Sequence, residues 1–306
     1  MTACERSAKI IEPSFEDRLK KLLKDAFDED LGYDVKKGAF LGDITTKTVL
    51  DENTRVKAVI RAKESGVLSG ANIIEPAFNF FDDNCEIAVL KSDGERLESG
   101  TIIAEIEGGI HTILAAERIV LNLLQRLSGI ATATDNLVQK ISHTKAKLID
   151  TRKTTPTLRF LEKQAVVHGG GKNHRFGLYD MILIKDTHVS AAGGGDIAVK
   201  KAREKYSSEK IEVEVQSLEE FYKALSANPD RIMLDNMSVA DMKQAVKIRN
   251  ERALGIELEA SGNVNENTIT QIAETGVDFI SVGAITHSVK ALDINLQIEK
   301  NKKIKK

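Results

Sequence analysis

Only two cysteines, Cys4 and Cys85, occur in the 306 residues. They are too few and too far apart for a disulfide framework or a thiolate metal site, and a reducing compartment is expected. No apolar run approaches the roughly 18 residues that a membrane span needs. The opening MTACERSAKIIEP lacks the apolar stretch of a secretory signal. Excess charge of one sign is missing too: 44 Lys and Arg stand against 46 Asp and Glu, a net charge of −2. Global electrostatics therefore gives no reason to bind nucleic acid or a membrane. Short-period repeats and low-complexity segments are also absent. What remains is an ordinary apolar fraction of 42%, enough for a sizeable core, in a chain long enough for two domains or one with an appendage. A soluble cytoplasmic protein is the expectation.

Ser14 precedes apolar positions Phe15, Leu19, Leu22, Leu23, Ala26 and Phe27 at helical spacing, with Asp17 three residues after it as in a capping box. Between Val56 and Ile106 the period changes to two in VKAVIRA, CEIAVL and TIIAEI, with turns at Ser92-Asp93-Gly94 and Ser99-Gly100, predicting a small antiparallel unit. Thr112 to Gln125 predicts a long helix, broken by Gly129, and Ile130 to Ile141 a second one. From Lys147 onward strands and helices alternate. Strands are expected at Lys147 to Ile149, Met181 to Ile184, Ile211 to Val215, Arg231 to Leu234, Ile256 to Glu259 and Phe279 to Val282. Helices lie between them at Ile197 to Tyr206, Leu218 to Leu225, Val239 to Arg249 and Glu266 to Thr275. Such alternation implies a parallel sheet. Six strands fall short of the eight of a closed barrel, so an open, incomplete α/β barrel is expected ahead of an open doubly wound sheet. The domains are expected at 1–120 and 121–288, with the tail from about 289 to 306 returning to the first. KNKKIKK at the end reads as a disordered basic tail.

Each apolar run of the second half ends on polar or ionised residues. If these runs are parallel strands, Thr151, Arg152 and Lys153, then Lys185, then Glu214 and Asp235 gather at one barrel mouth. In IEVEV both Glu212 and Glu214 fall on the face opposite Ile211, Val213 and Val215, where a sheet covered by helices is normally apolar. A salt bridge inside an open barrel would explain them, and so would Mg²⁺. Glu214 and Asp235 on neighbouring strands suit a hard cation that also binds phosphate oxygens. Arg152, Lys153, His174, Arg175 and Lys185, with Arg118, suit a small molecule carrying two carboxylates. Any one of these alone is an ordinary surface group; several converging are not. GGGKNHRFG and AAGGGD match neither common nucleotide-loop spacing. Ser261, Gly262 and Asn263 in ASGN, and Gly283 and Ala284 in VGAITHS, are better phosphate candidates because they follow the last two strands.

ERIVLNLLQRLSGIAT, DTRKTTPTLR, GGGKNHRFGLYDMILIKD, EVEV, IMLDNM, EASGNV and VGAITHSV occur in this order. Together they resemble the quinolinate phosphoribosyltransferase family, also called nicotinate-nucleotide diphosphorylase (carboxylating), over about Leu31 to Leu296. The resemblance implies an N-terminal α/β sandwich domain followed by an open α/β barrel. It also implies a Mg²⁺-dependent reaction of quinolinate with 5-phosphoribosyl 1-diphosphate that yields nicotinate mononucleotide, pyrophosphate and CO₂. By the same resemblance Thr151, Arg152, Lys153, His174, Arg175 and Lys185 hold quinolinate, and Arg118 reaches in from a partner subunit, making the enzyme at least a homodimer, with a hexamer left open. Glu214 and Asp235 serve the ribosyl diphosphate and its metal, and Ser261 to Asn263 and Gly283 to Ala284 its phosphates. Catalysis is expected of Lys153, Lys185, Glu214 and Asp235. Departures from the family pattern are a longer loop at Tyr33 to Leu41, Thr187 in place of Asn and Asn295 in place of Ser. The rivals are a molybdenum-transport-associated sister family, a nicotinate phosphoribosyltransferase, and a biotinyl or lipoyl carrier with Lys91 at its hairpin.

Overall fold

The computed structural model describes residues 13–81, 84–252 and 255–299; Cys4 and the basic end of the chain lie outside them. The first half runs α1 (Phe15–Leu31), a hairpin of β1 (Tyr33–Asp34) and β2 (Ala39–Phe40), α2 (Ile44–Val49), β3 (Arg55–Ala62) and β4 (Gly66–Val67). It continues with α3 (Ala71–Phe78), β5 (Glu86–Val89), β6 (Arg96–Leu97), β7 (Ile102–Gly109) and α4 (Ile110–Ile141). Then come β8 (Lys147–Ile149), α5 (Arg159–His168), β9 (Ile182–Ile184), α6 (Asp186–Ala192), α7 (Gly195–Lys205) and β10 (Ile211–Val215). The last stretch is α8 (Leu218–Ser226), β11 (Arg231–Asp235), α9 (Val239–Arg252), β12 (Glu257–Ser261), α10 (Ile269–Ala273), β13 (Phe279–Ser281), α11 (Ala284–His287) and β14 (Ile294–Ile298). No described helix is long and apolar enough to cross a membrane.

The chain divides into two compact units. One comprises residues 13–132, Phe160–Gly169 and 289–299 and is built on a four-stranded antiparallel sheet in the order β14-β3-β7-β5. Ser14 caps α1, its hydroxyl accepting from the Asp17 N–H at 3.0 Å. Leu19, Leu23, Phe27 and Leu31 form the buried stripe of α1, and each fully buried side chain of this size stabilises by roughly 1.5–3 kcal/mol. The loop at Tyr33 to Leu41 is the β1–β2 hairpin, and Phe40 joins Phe27, Phe80 and Phe81 in an aromatic cluster. α3 was hidden in the sequence: Pro76 interrupts its helical reading, yet Ile73, Ile74, Ala77 and Phe78 are fully buried along it. β14 returns after the second unit to pair with β3, Ile294 opposite Ala62 and Ile298 opposite Ala58.

Gly129 does not break the long helix. α4 runs unbroken through 32 residues, and its glycine has a packing purpose. A Cβ on Gly129 would stand 2.3 Å from the Lys290 carbonyl oxygen, so the glycine admits the returning backbone at Lys290–Ala291.

The other unit comprises Ala133–Arg159 and Gly170–Ser288. Its six parallel strands lie in the order β9-β10-β11-β12-β13-β8. That is the cyclic order of a barrel with one seam missing, since β8 pairs with β13 rather than with β9. A doubly wound sheet would reverse its order in the middle, and this one does not. Ile211, Val213 and Val215 are buried on the helix side, with α7 and α8 packed on β10. The alternate positions, Glu212 and Glu214, face the barrel interior, and the register sets Glu212 opposite Arg231, Glu214 opposite Met233, and Met233 opposite Glu259.

Candidate active site

All six strand ends and the loops beside them contribute to one cavity of about 770 Å³. Thr151, Arg152 and Lys153 follow β8; His174 and Arg175 lie in the loop before β9; Lys185 ends β9; Glu214 is on β10 and Asp235 closes β11; Ser261, Gly262 and Asn263 end β12; Gly283 and Ala284 follow β13. Every site residue expected from the sequence lines this cavity except Arg118, which is exposed on α4.

The cations are held in place by the backbone around them. The Arg175 guanidinium is buried and donates to the Met181 carbonyl at 3.1 Å. Burial, with the neighbouring Arg152 charge, holds its pKa below the usual arginine value. Arg152 keeps a buried Nε–H with no hydrogen-bond partner, a donor that an anionic ligand would satisfy. Lys185 Nζ reaches Glu214 Oε1 at 2.9 Å. The Lys153 carbonyl accepts from the Thr286 hydroxyl at 2.8 Å. A Cβ on Gly283 would lie 2.9 Å from Lys153 Cδ, so this glycine lets the lysine stem lie over the turn after β13.

Opposite them, Asp235 accepts from Asn236 Nδ2 at 3.0 Å, and Asn236 Oδ1 accepts from Asn263 Nδ2 at 3.2 Å. Asn236 and Asn263 both have φ of +54°, a conformation asparagine tolerates better than most residues. Gly262, at φ +88°, is demanded by the same contact, because a Cβ there would stand 2.1 Å from Asn236 Oδ1. Sequence reasoning missed Asn236, although LDN followed by ASGN carries the signal of two turns meeting. Glu214 and Asp235 fit a hard divalent cation: both offer oxygen, they stand on adjacent strands, and both line the cavity.

Glu212 does not share that role. It lies two residues deeper on β10 and is fully buried, as is Glu259 on β12. His174 Nε2 lies 2.9 Å from Glu212 and 3.7 Å from Glu259, and Arg231 Nη1 donates to Glu259 at 2.9 Å. The Arg231 guanidinium also lies over the Phe279 ring at 4.0 Å. Burial pushes the Glu212 carboxyl up to about 7, against the pull of Arg231. Burial and the Glu212 charge push Glu259 up to about 8. His174, Glu212 and Glu259 are close enough to surround a metal ion, but the imidazole is turned the wrong way for one. Its Nδ1 accepts from the Arg175 N–H at 2.7 Å, so the ring proton sits on Nε2, whereas a metal-bound histidine donates from its other nitrogen. A buried hydrogen bond to His174 inside the open barrel accounts for Glu212; of these two carboxylates on β10, only Glu214 lines the cavity.

The chain matches the family model of the quinolinate phosphoribosyl transferase N-terminal domain over residues 43–128 and that of the C-terminal domain over residues 130–297. Among curated relatives, a probable nicotinate-nucleotide pyrophosphorylase [carboxylating] of Bacillus subtilis is 43% identical over 282 residues, covering 92% of this chain and 93% of its own. A chloroplastic nicotinate-nucleotide pyrophosphorylase [carboxylating] of Arabidopsis thaliana is 40% identical, covering 92% of this chain and 83% of its own. Among solved structures, the nicotinate-nucleotide pyrophosphorylase of Francisella tularensis superposes with a TM-score of 0.87 at 41% identity, covering 94% of this chain and 98% of that one.

Proposed function

The chain belongs to the quinolinate phosphoribosyl transferase family, and from that premise we propose how its cavity serves the reaction. The phosphoribosyl group of 5-phosphoribosyl 1-diphosphate is transferred to quinolinate with loss of pyrophosphate and CO₂, giving nicotinate mononucleotide for de novo NAD biosynthesis. One observation carries the division of labour: Arg152, Lys153, Arg175 and Lys185 line the same cavity as Glu214 and Asp235.

Quinolinate is a dianion, and paired guanidinium groups bind carboxylates through two parallel hydrogen bonds each. Arg152 and Arg175 take its carboxylates, the unpartnered Arg152 Nε–H among the donors. The ring nitrogen then faces the anomeric carbon. As pyrophosphate departs, the sugar gains positive charge, which Glu214 and Asp235 stabilise across the cavity. Lys153, lying over the turn at Gly283 and Ala284, and the backbone N–H groups of Ser261 to Asn263 take the phosphates. Mg²⁺ held by Glu214 and Asp235 would supply further charge neutralisation for the diphosphate. Once the pyridine nitrogen is quaternary, the carbanion left by CO₂ is stabilised by the adjacent cationic ring. The protein contributes mainly position and field.

Arg118 belongs to the same reading as a donor to the cavity of a second copy, making the enzyme a homodimer. A cytoplasmic location is also part of it.

The test combines the purified chain with quinolinate, 5-phosphoribosyl 1-diphosphate and Mg²⁺ and measures released CO₂. Nicotinate in place of quinolinate should release none. Arg152→Ala and Lys185→Ala should each lower turnover by about 10²- to 10³-fold, as expected for losing a charged contact made in the transition state, with an unchanged melting temperature. Glu214→Ala should impair Mg²⁺-dependent use of the ribosyl diphosphate more than quinolinate affinity. Undiminished quinolinate turnover in Arg152→Ala would refute this assignment of the cavity.

A further inference from the structure

Both ring nitrogens of His174 are engaged within the protein. Nδ1 accepts from the Arg175 N–H at 2.7 Å, Nε2 is 2.9 Å from Glu212 Oε2, and the side chain is only 6% exposed. Its own backbone N–H donates to Oδ1 of the fully buried Asp150 at 2.8 Å. Behind the ring, the contacts pass from Glu212 to the neighbouring Glu259 carboxyl. Glu259 stands 3.7 Å from Nε2, Arg231 donates to Glu259 at 2.9 Å, and the other end of the same guanidinium donates to Glu257 at 2.9 Å. The floor of the cavity is thus a connected set of hydrogen bonds and charge contacts leading from three strands to the backbone of Arg175, whose guanidinium lines the cavity above.

A barrel interior is ordinarily filled by branched apolar side chains, and buried ion pairs add little stability over well-packed apolar groups of similar volume. Such a floor is better suited to fixing direction than to holding the fold together. We propose that Glu212, Glu259 and Arg231 are positioning residues for the dicarboxylate end of the cavity. They act by locking the His174 ring, which in turn locks the Arg175 backbone and aims its guanidinium. His174 is the strut between floor and ligand. The proposal rests on the assignment of quinolinate to the Arg152–Arg175 end of the cavity.

Binding of quinolinate, followed by calorimetry, tests it together with steady-state kinetics. Glu212→Ala removes the acceptor of the Nε2 proton, and affinity for quinolinate should fall by about 10- to 100-fold, the range for losing a buried hydrogen bond to a charged group. The KM for quinolinate should rise in parallel, while the KM for ribosyl diphosphate and the affinity for inorganic pyrophosphate stay within about threefold of wild type. Glu212→Gln keeps an acceptor for Nε2 and should restore quinolinate affinity to within about threefold. His174→Phe should match Glu212→Ala, and the double variant should be no worse than His174→Phe alone, because both act along one path. A role in folding alone would instead lower the active fraction and the melting temperature and leave both KM values unchanged. Unchanged quinolinate affinity in Glu212→Ala, or additive losses in the double variant, would overturn the relay while leaving the proposed reaction intact. A wild-type chain that binds no quinolinate would overturn both.

Discussion

Glu259 shows how far a single side chain can depart from its sequence neighbourhood. In IELEAS it alternates like Glu257 two residues before it, yet Glu257 is partly exposed and Glu259 is fully buried beside Glu212. Its carboxyl, ordinarily near 4.5, is pushed up to about 8. The folded protein therefore holds a proton that the unfolded chain has already released above pH 4.5. The resulting stabilisation is complete below that pH and is lost as pH rises toward 8, at up to about 1.4 kcal/mol per pH unit while one proton separates the two states. Glu212, raised to about 7, acts in the same direction. Urea midpoints measured at pH 5, 6.5 and 8 should fall for the wild type and fall markedly less for Glu259→Gln. Equal slopes would show that this carboxyl is ionised in the folded protein at neutral pH. Alternation in IEVEV pointed Glu212 and Glu214 to one face. It carried no information on depth, and two residues along a strand, about 7 Å, separate a carboxylate at the cavity from one beneath it.

α4 and the strands show where local pattern suffices at the scale of an element. The Ser14 cap, the stripe of α1 and the six parallel strands lie within one or two residues of where periodicity set them, because caps and alternating burial are local properties. Gly129 was misread because a glycine within a helical pattern ordinarily signals a stop. Its actual reason is the backbone of Lys290, 161 positions away in the chain. Gly129→Ala would gain about 1 kcal/mol of helix propensity, but the added methyl meets a carbonyl that the sheet-bound β14 holds in place. The expected outcome is a net loss of about 1–3 kcal/mol, the usual cost of overpacking a close contact, read from chemical denaturation. A more stable Gly129→Ala would mean that the Lys290 segment moves freely. α3 and α5 escaped notice for a related reason: α3 contains Pro76, and α5 spans ten residues of which Glu162 and Lys163 are buried, so neither shows a clean amphipathic stripe.

At the scale of the whole molecule, the cavity and Arg118 set the question of assembly. Arg118 is exposed on α4, and every other expected ligand lines the cavity. If Arg118 completes the site of a second copy, Arg118→Ala and Arg152→Ala should each be nearly inactive alone. Unfolded, mixed in equal amounts and refolded together, they should recover about one quarter of wild-type activity, since half the dimers would then hold one intact site of two. Absence of any recovery, with mixed dimers present by mass spectrometry, would show that Arg118 is not donated across the interface. The sequence by itself determined the alternation of strands and helices, the cations and glycines at strand ends, and the family, because these depend on residues near one another or on motifs read in order. The tertiary structure alone decided that β8 closes against β13 and leaves a seam beside β9. It also set Glu212 and Glu259 as the floor beneath His174, and made Gly129 a contact rather than a break. The physical reason is common to all three: each depends on a partner supplied by a distant part of the chain, and only the folded register brings the two together.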